Sequence, residues 1–148
     1  MTTRDRVVED LRAAGGGEPT DAAGRSSDGG EGRTRVVLLV ADAPAGVRRF
    51  AVTVGAPDGT RVAAVAPGDL RDRFEVVEGG AGADGVTARS VDFVGAGREP
   101  PVVLFGVRFD DPVEPDAVDV SADRLVDHGE GDVAPDRLAV ESASSERL

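Results

Sequence analysis

Beyond about residue 33 the chain alternates short β-branched runs with clusters of Gly, Pro and Asp. Val36-Val37-Leu38-Leu39-Val40-Ala41 is a continuous apolar run of strand length. The stretch Val47 to Val54 alternates instead, with Phe50, Val52 and Val54 facing one way and Arg49, Ala51 and Thr53 the other. A period of two over such a length is the mark of a half-buried strand. Pro57-Asp58-Gly59 follows as turn chemistry, because proline presets φ and glycine accepts the left-handed position. Further short runs lie at 61–66, 74–78, 86–94, 102–109, 118–122 and 138–140. In 102–109, Val103, Phe105, Val107 and Phe109 alternate with Leu104, Gly106 and Arg108. Roughly eight short strands at close spacing, with turn signals between them, predict an all-β antiparallel sandwich over residues 33–141. A long helix is not expected there, since Gly or Pro punctuates every longer window.

The two ends read differently. Residues 1–32 are expected to be a tail, disordered or partly helical. Within it, Asp5 to Ala14 could form a short helix with Val7, Val8 and Leu11 on one side. A helix that short is marginal without a partner, so it is either loosely formed or a docking helix for another protein. Gly15 to Gly32, rich in Gly, Ser, Glu and Asp, reads as a flexible linker. Residues 142–148 read as a polar C-terminal tail. No apolar run is long enough to span a membrane. Acidic residues interrupt the apolar positions that follow Arg4 and Arg6, so no signal peptide is visible and a cytoplasmic location is expected at face value.

Composition changes this picture in three ways. Hydrophobic residues make up 40% of the chain, enough for a core. There are 28 acidic residues against 17 basic ones, all of them arginine, for a formal net charge of −11. Such a balance repels nucleic acid and anionic membrane surfaces. It suits either basic partners and cations or a solvated, halophilic surface, because the Debye length falls to about 3 Å in molar salt. Cysteine is absent, which removes disulfides, thiolate nucleophiles and cysteine-based zinc sites.

Catalytic groups are sparse. His128 is the sole histidine, so a histidine-based metal cluster is excluded, and within Asp127-His128-Gly129-Glu130-Gly131-Asp132 it reads as part of an exposed loop rather than as a general base. Carboxylate pairs such as Asp110-Asp111 arise from composition alone. Ser90, Ser121, Ser142, Ser144 and Ser145 lie in no nucleophile elbow, and the glycine runs lack the lysine and following helix of a phosphate loop. An enzyme is therefore not expected. Asp127, Glu130 and Asp132 form a candidate calcium loop, since calcium takes oxygen ligands from acidic, glycine-bearing loops; no other cofactor is expected. The chain has no Trp or Tyr and five Phe. The phenylalanines are expected in the core, which disfavours direct glycan binding, where amphipathic rings stack on sugars.

The segment from Val37 to Val54, with its Ala43-Pro44-Ala45-Gly46 turn and Phe50-Ala51-Val52-Thr53-Val54 strand, resembles the opening of the cohesin-like domains of salt-loving archaea. Ala66-Pro67-Gly68-Asp69, the Val102 to Phe109 strand and the Arg124 to Asp132 loop are similar in kind to later stretches of that family. The resemblance covers about residues 35–141. It implies a nine-stranded jelly-roll sandwich of the cohesin and carbohydrate-binding superfamily. It also implies a protein partner, typically a dockerin, bound through one sheet face, with polysaccharide as the alternative ligand. Members of that family are usually extracellular, and this chain shows neither an export signal nor a dockerin-like calcium repeat. If a sheet face binds, alternation offers Arg49, Ala51, Thr53, Leu104 and Arg108 as outward positions.

Overall fold

A computed structural model describes residues 3–15, 34–93, 95, 98 and 101–142, with the side chains of 12–15 left aside. Helix α1 (Thr3–Gly15) is followed by β1 (Thr34–Ala41), β2 (Arg49–Gly55), β3 (Val62–Pro67), β4 (Glu75–Gly79), β5 (Gly85–Val91), β6 (Val102–Val113), β7 (Asp119–Val126) and β8 (Leu138–Ser142). The strands form two four-stranded sheets, in the orders β3-β6-β1-β8 and β4-β5-β2-β7. Every pairing is antiparallel. The architecture is an all-β sandwich.

The pairing is nested: β4 with β5, β3 with β6, β2 with β7 and β1 with β8. A chain doubled back at the β4–β5 hairpin and then rolled into two layers gives this order, which is the logic of a jelly roll. Eight strands lie among the described residues, and the ninth implied by the cohesin resemblance is not among them. Gly79 makes the hairpin possible. Its φ is +73°, and a Cβ there would meet the Gly85 carbonyl oxygen at 2.1 Å.

The main core lies between the sheets. Val37, Leu39 and Ala41 of β1 meet Phe50, Val52 and Val54 of β2 and Phe105, Val107 and Phe109 of β6 there, all buried. Phe50 stacks on Phe105 with ring centroids 5.9 Å apart, and Phe74 tilts against the other side of Phe105. Two strands depart from simple alternation. β4 is exposed at all five positions, as suits a short edge strand. In β6, Leu39 pairs with Phe105 and Val40 with Val103, so Leu104 is the extra residue of a bulge. The bulge turns Leu104 into the main core and sends Val103 to the opposite face. Gly68 and Asp69 satisfy the loosened backbone: their amides donate to the Leu104 and Val103 carbonyls, and the Asp69 carboxylate accepts the Val103 amide at 2.9 Å.

A second core explains why β1 is apolar on both faces. Val36, Leu38, Val40, Ala64, Ala66 and Val103 line the outer face of the first sheet, and Val7 and Leu11 of α1 cover them. Gly106 forms the floor beneath the helix, where a Cβ would lie 2.5 Å from a Val7 methyl and 2.9 Å from a Leu11 methyl. Polar anchors surround this seam: Arg4 pairs with Glu141 at 3.1 Å, Arg6 donates to the Gly68 carbonyl at 2.7 Å, and Thr3 donates to Asp69. The apolar side of the N-terminal helix is thus spent on the chain's own sheet. Residues 16–33, expected as a linker, and 143–148, expected as a polar tail, lie outside the described residues. No described helix is long and apolar enough to cross a membrane.

Candidate functional site

Three connections meet at one end of the sandwich: 42–48 before β2, the segment after β5, and 127–132 after β7. The backbone stitches them together. Arg48 donates its amide to the Val126 carbonyl at 2.7 Å and accepts the Asp92 amide at 2.6 Å. His128 donates its amide to the Ala45 carbonyl at 3.4 Å. The side chains add a second layer. His128 Nε2 lies 3.0 Å from Asp92 Oδ2, with the Asp92 side chain 1% exposed and that of His128 12% exposed. The other Asp92 oxygen accepts the Gly95 amide at 2.9 Å. The histidine expected in an open loop is therefore half-buried and oriented by a carboxylate.

An oriented histidine can serve as a base when a nucleophile or substrate faces its free nitrogen. Ser90, the buried serine closest in sequence to Asp92, donates to the Leu70 carbonyl at 2.6 Å, so its hydroxyl is committed to the backbone. What the pair demonstrably does is join the segment after β5 to the loop after β7 across 36 residues of sequence. Sequence offered no signal for it: Asp92 is one of 28 acidic residues, and only the fold selects it.

The candidate calcium loop is organised by its own groups. One Asp127 oxygen accepts the amides of Gly129 and Gly131, at 2.8 and 2.9 Å. The Asp127 amide donates to the Gly131 carbonyl. Glu130, held at φ 69°, turns away to pair with Arg48 at 3.2 Å. Asp132 is exposed beside a single bridge to Val126. The structure does not gather Asp127, Glu130 and Asp132 into one ligand set, and no group of three metal-ligating side chains occurs among the described residues. Asp127 instead satisfies the amides of the tight turn, and Glu130 serves as an ion-pair partner.

The residues offered as a binding face are divided between the sheets. Arg49, Ala51 and Thr53 lie on the outer face of the second sheet. Leu104 is fully buried between the sheets, a correction that follows from the β6 bulge. Arg108 lies on the outer face of the first sheet, where it reaches the Leu11 carbonyl at 3.4 Å. The five positions do not form one surface.

The second sheet's outer face has its own order. Register sets Val91, Arg49 and Val126 in one row, and Glu75, Arg89, Ala51 and Arg124 in the next. A third row holds Glu78, Thr87, Thr53 and Ser121. The Thr53 and Thr87 hydroxyls are 2.8 Å apart and hydrogen-bonded. Arg89 pairs with Glu75 at 3.3 Å, both well exposed. Arg49 Nε is buried without a partner, and Arg124 is exposed. Asp119 lies at the far end, opposite Gly55.

No protein-family model, curated protein or solved structure matches this chain. The cohesin resemblance rests on the Val37–Val54 segment and the similar later stretches alone. The geometry of the sandwich is asymmetric. The first sheet's outer face is apolar and covered by α1, whereas the second sheet's is largely polar, has the small Ala51 at its centre, and is uncovered by any described element. Such a face can hold a ligand by hydrogen bonds and charge over an area set by four strands.

Proposed function

We propose that this protein is a non-catalytic interaction module that binds a protein partner across the outer face of its second sheet. One observation carries the proposal: the helix α1 covers one sheet, and no described element covers the other, with Ala51 and Thr53 at the centre of its outer face. The cohesin-like resemblance supports the same class, since that family binds partners through a sheet face. The His128–Asp92 pair fits a structural latch that fixes the loops bordering this face. The acidity, spread over solvated positions such as Asp110, Asp111, Asp116 and Asp123, fits a salt-adapted surface.

Replacing Ala51 or Thr53 by tryptophan tests the proposal. Each variant should stay folded and lose the specific partner that the immobilised full chain captures at physiological salt. Undiminished capture by both variants would remove this face from the function. A polysaccharide-binding alternative has one point in its favour: Phe93 is 64% exposed, with the Arg73 guanidinium 5.2 Å from its ring centroid. Sedimentation with insoluble polysaccharides, lost on Phe93→Ala, would favour that alternative.

A further inference from the structure

We infer that Arg49, Arg89 and Arg124 form a carboxylate-binding site around Ala51, and that the partner segment it takes is an acidic peptide. The inference rests on the interaction-module proposal and narrows it to a partner chemistry. Arg89 and Arg124 are the two cross-strand neighbours of Ala51, on either side of β2. Neighbouring strands lie about 4.8 Å apart, which sets their Cα atoms about 10 Å from one another. Arg49 stands two residues along β2 on the same face, about 7 Å from Ala51. Register thus places the three arginines on one face around the small Ala51 side chain, with the Arg89 head drawn towards Glu75.

Their pairing is incomplete in a chain where acids outnumber bases, 28 to 17. Among the described residues, Arg124 has no ion pair or hydrogen bond and Arg49 leaves Nε buried without a partner. Arg49 is flanked in register by Val91 and Val126, so its stem packs on apolar neighbours while its head stays at the surface. Arg89 alone has a partner, the exposed Glu75, and an exposed pair of this kind exchanges readily for another carboxylate. Arginine presents a planar fork that matches carboxylate geometry.

The ligand class follows from what else the face holds. A single-stranded nucleic acid would need base-stacking rings, and the rows around Ala51 contain no aromatic residue. The net charge of −11 opposes a densely charged phosphate backbone. A peptide with a few carboxylates meets less of that opposition, because acids more than about 8 Å away are screened at physiological salt. The Thr53 and Thr87 hydroxyls in the next row offer polar contacts to peptide amides.

The test is a titration of the full ¹⁵N-labelled chain with a blocked oligoglutamate peptide, alongside oligoglutamine, oligolysine and oligothymidylate. Saturable shifts at Ala51, Thr53, Thr87 and Arg124, with oligoglutamate alone, are expected. Arg124→Gln should weaken binding about tenfold, the equivalent of one charge-assisted hydrogen bond, and should leave the fold intact because the side chain is exposed. Arg49→Gln should weaken it further, and Arg124→Lys should restore only part of the loss. Binding should fall steeply towards molar salt. Equal binding of oligoglutamine at these residues would overturn the carboxylate assignment while leaving the open face as a binding surface. Tighter binding of oligothymidylate, shifts confined to another surface, or no shifts at all would also overturn it. The tryptophan variants at Ala51 and Thr53 test the broader proposal separately, since they block the face whatever the ligand's charge.

Discussion

Leu11→Ala probes the joint between the helix and the sandwich. Leu11 is fully buried against the outer face of the first sheet, directly above Gly106. Truncating a buried leucine costs about 2–5 kcal/mol, with the lower part of that range applying where the surroundings can close the gap. A helix lying on a sheet can settle inward, so about 2–3 kcal/mol is expected. The polar bonds that remain are individually weak: the Arg4–Glu141 pair is exposed by 43% and 41% and is worth about 0.2–1 kcal/mol, and the Arg6–Gly68, Thr3–Asp69 and Arg108–Leu11 hydrogen bonds add at most about 0.5–1.5 kcal/mol each. Among the described side chains of α1, Val7 is the only other one fully buried in this seam. A helix of 13 residues is marginal in isolation, so the loss should approach its whole docking energy. The helix should then detach before the sandwich unfolds. Hydrogen exchange measured by mass spectrometry checks this directly: protection across 3–15 should collapse, protection in the outer-facing part of β1 should fall, and that of β2 and β5 should stay. Helix protection within about 0.5 kcal/mol of wild type would refute the claim that Leu11 holds α1 in place.

The remaining predictions concern the loop end and the hairpin. Asp92→Ala should destabilise the protein by about 1–3 kcal/mol in chemical denaturation, because it strands the Gly95 amide and His128 Nε2 in a buried setting. Asp127→Ala should loosen the 127–132 loop, read as faster amide exchange at Gly129 and Gly131, while Asp127→Asn keeps the accepting oxygen and much of the protection. Adding calcium should leave the wild-type melting temperature unchanged, since that oxygen is engaged by backbone amides. Gly79→Ala should cost about 1–3 kcal/mol through its left-handed φ alone, with further cost from the close Gly85 oxygen, and should loosen β4 first.

How much of this was legible in the sequence depends on how local each cause is. The alternation of Phe50, Val52 and Val54 against Arg49, Ala51 and Thr53 defines β2 and both of its faces, because the pleat enforces it residue by residue. The continuous run from Val36 to Ala41 marked a strand but hid its reason: half of its apolar side chains serve the inter-sheet core and half serve a helix that begins some thirty residues earlier in sequence. Val7, Val8 and Leu11 showed one side of that helix, and only the fold shows what the side covers. Leu104 was misplaced because a bulge is an event in the pairing with β1, invisible in the alternation of β6 itself. The His128–Asp92 pair and the arginines around Ala51 lay further out of reach. Both depend on register between strands and loops distant in sequence, and nothing local to Asp92, Arg89 or Arg124 sets them apart from their many chemical equals.

The two outer faces answer a problem that every sandwich has. Each sheet has one face in the shared core, and its other face must be polar or covered. In the first sheet the outer face is built from valine, leucine and alanine, with Gly106 opening room for α1, so burial there adds stability and removes the surface from use. In the second sheet the same positions carry mostly Arg, Thr, Ser and Glu around Ala51, with Val91 and Val126 beside Arg49. Stability does not require cations there: exposed pairs contribute little, and the incompletely bonded Arg49 carries a desolvation cost. If the face served only as solvated surface, the chain's abundant acids would be its natural lining, as they are along the exposed end of β6 at Asp110 and Asp111. Three arginines around Ala51, on the sheet face that no described element covers, therefore need a reason other than stability, and the proposed binding of an anionic partner supplies one.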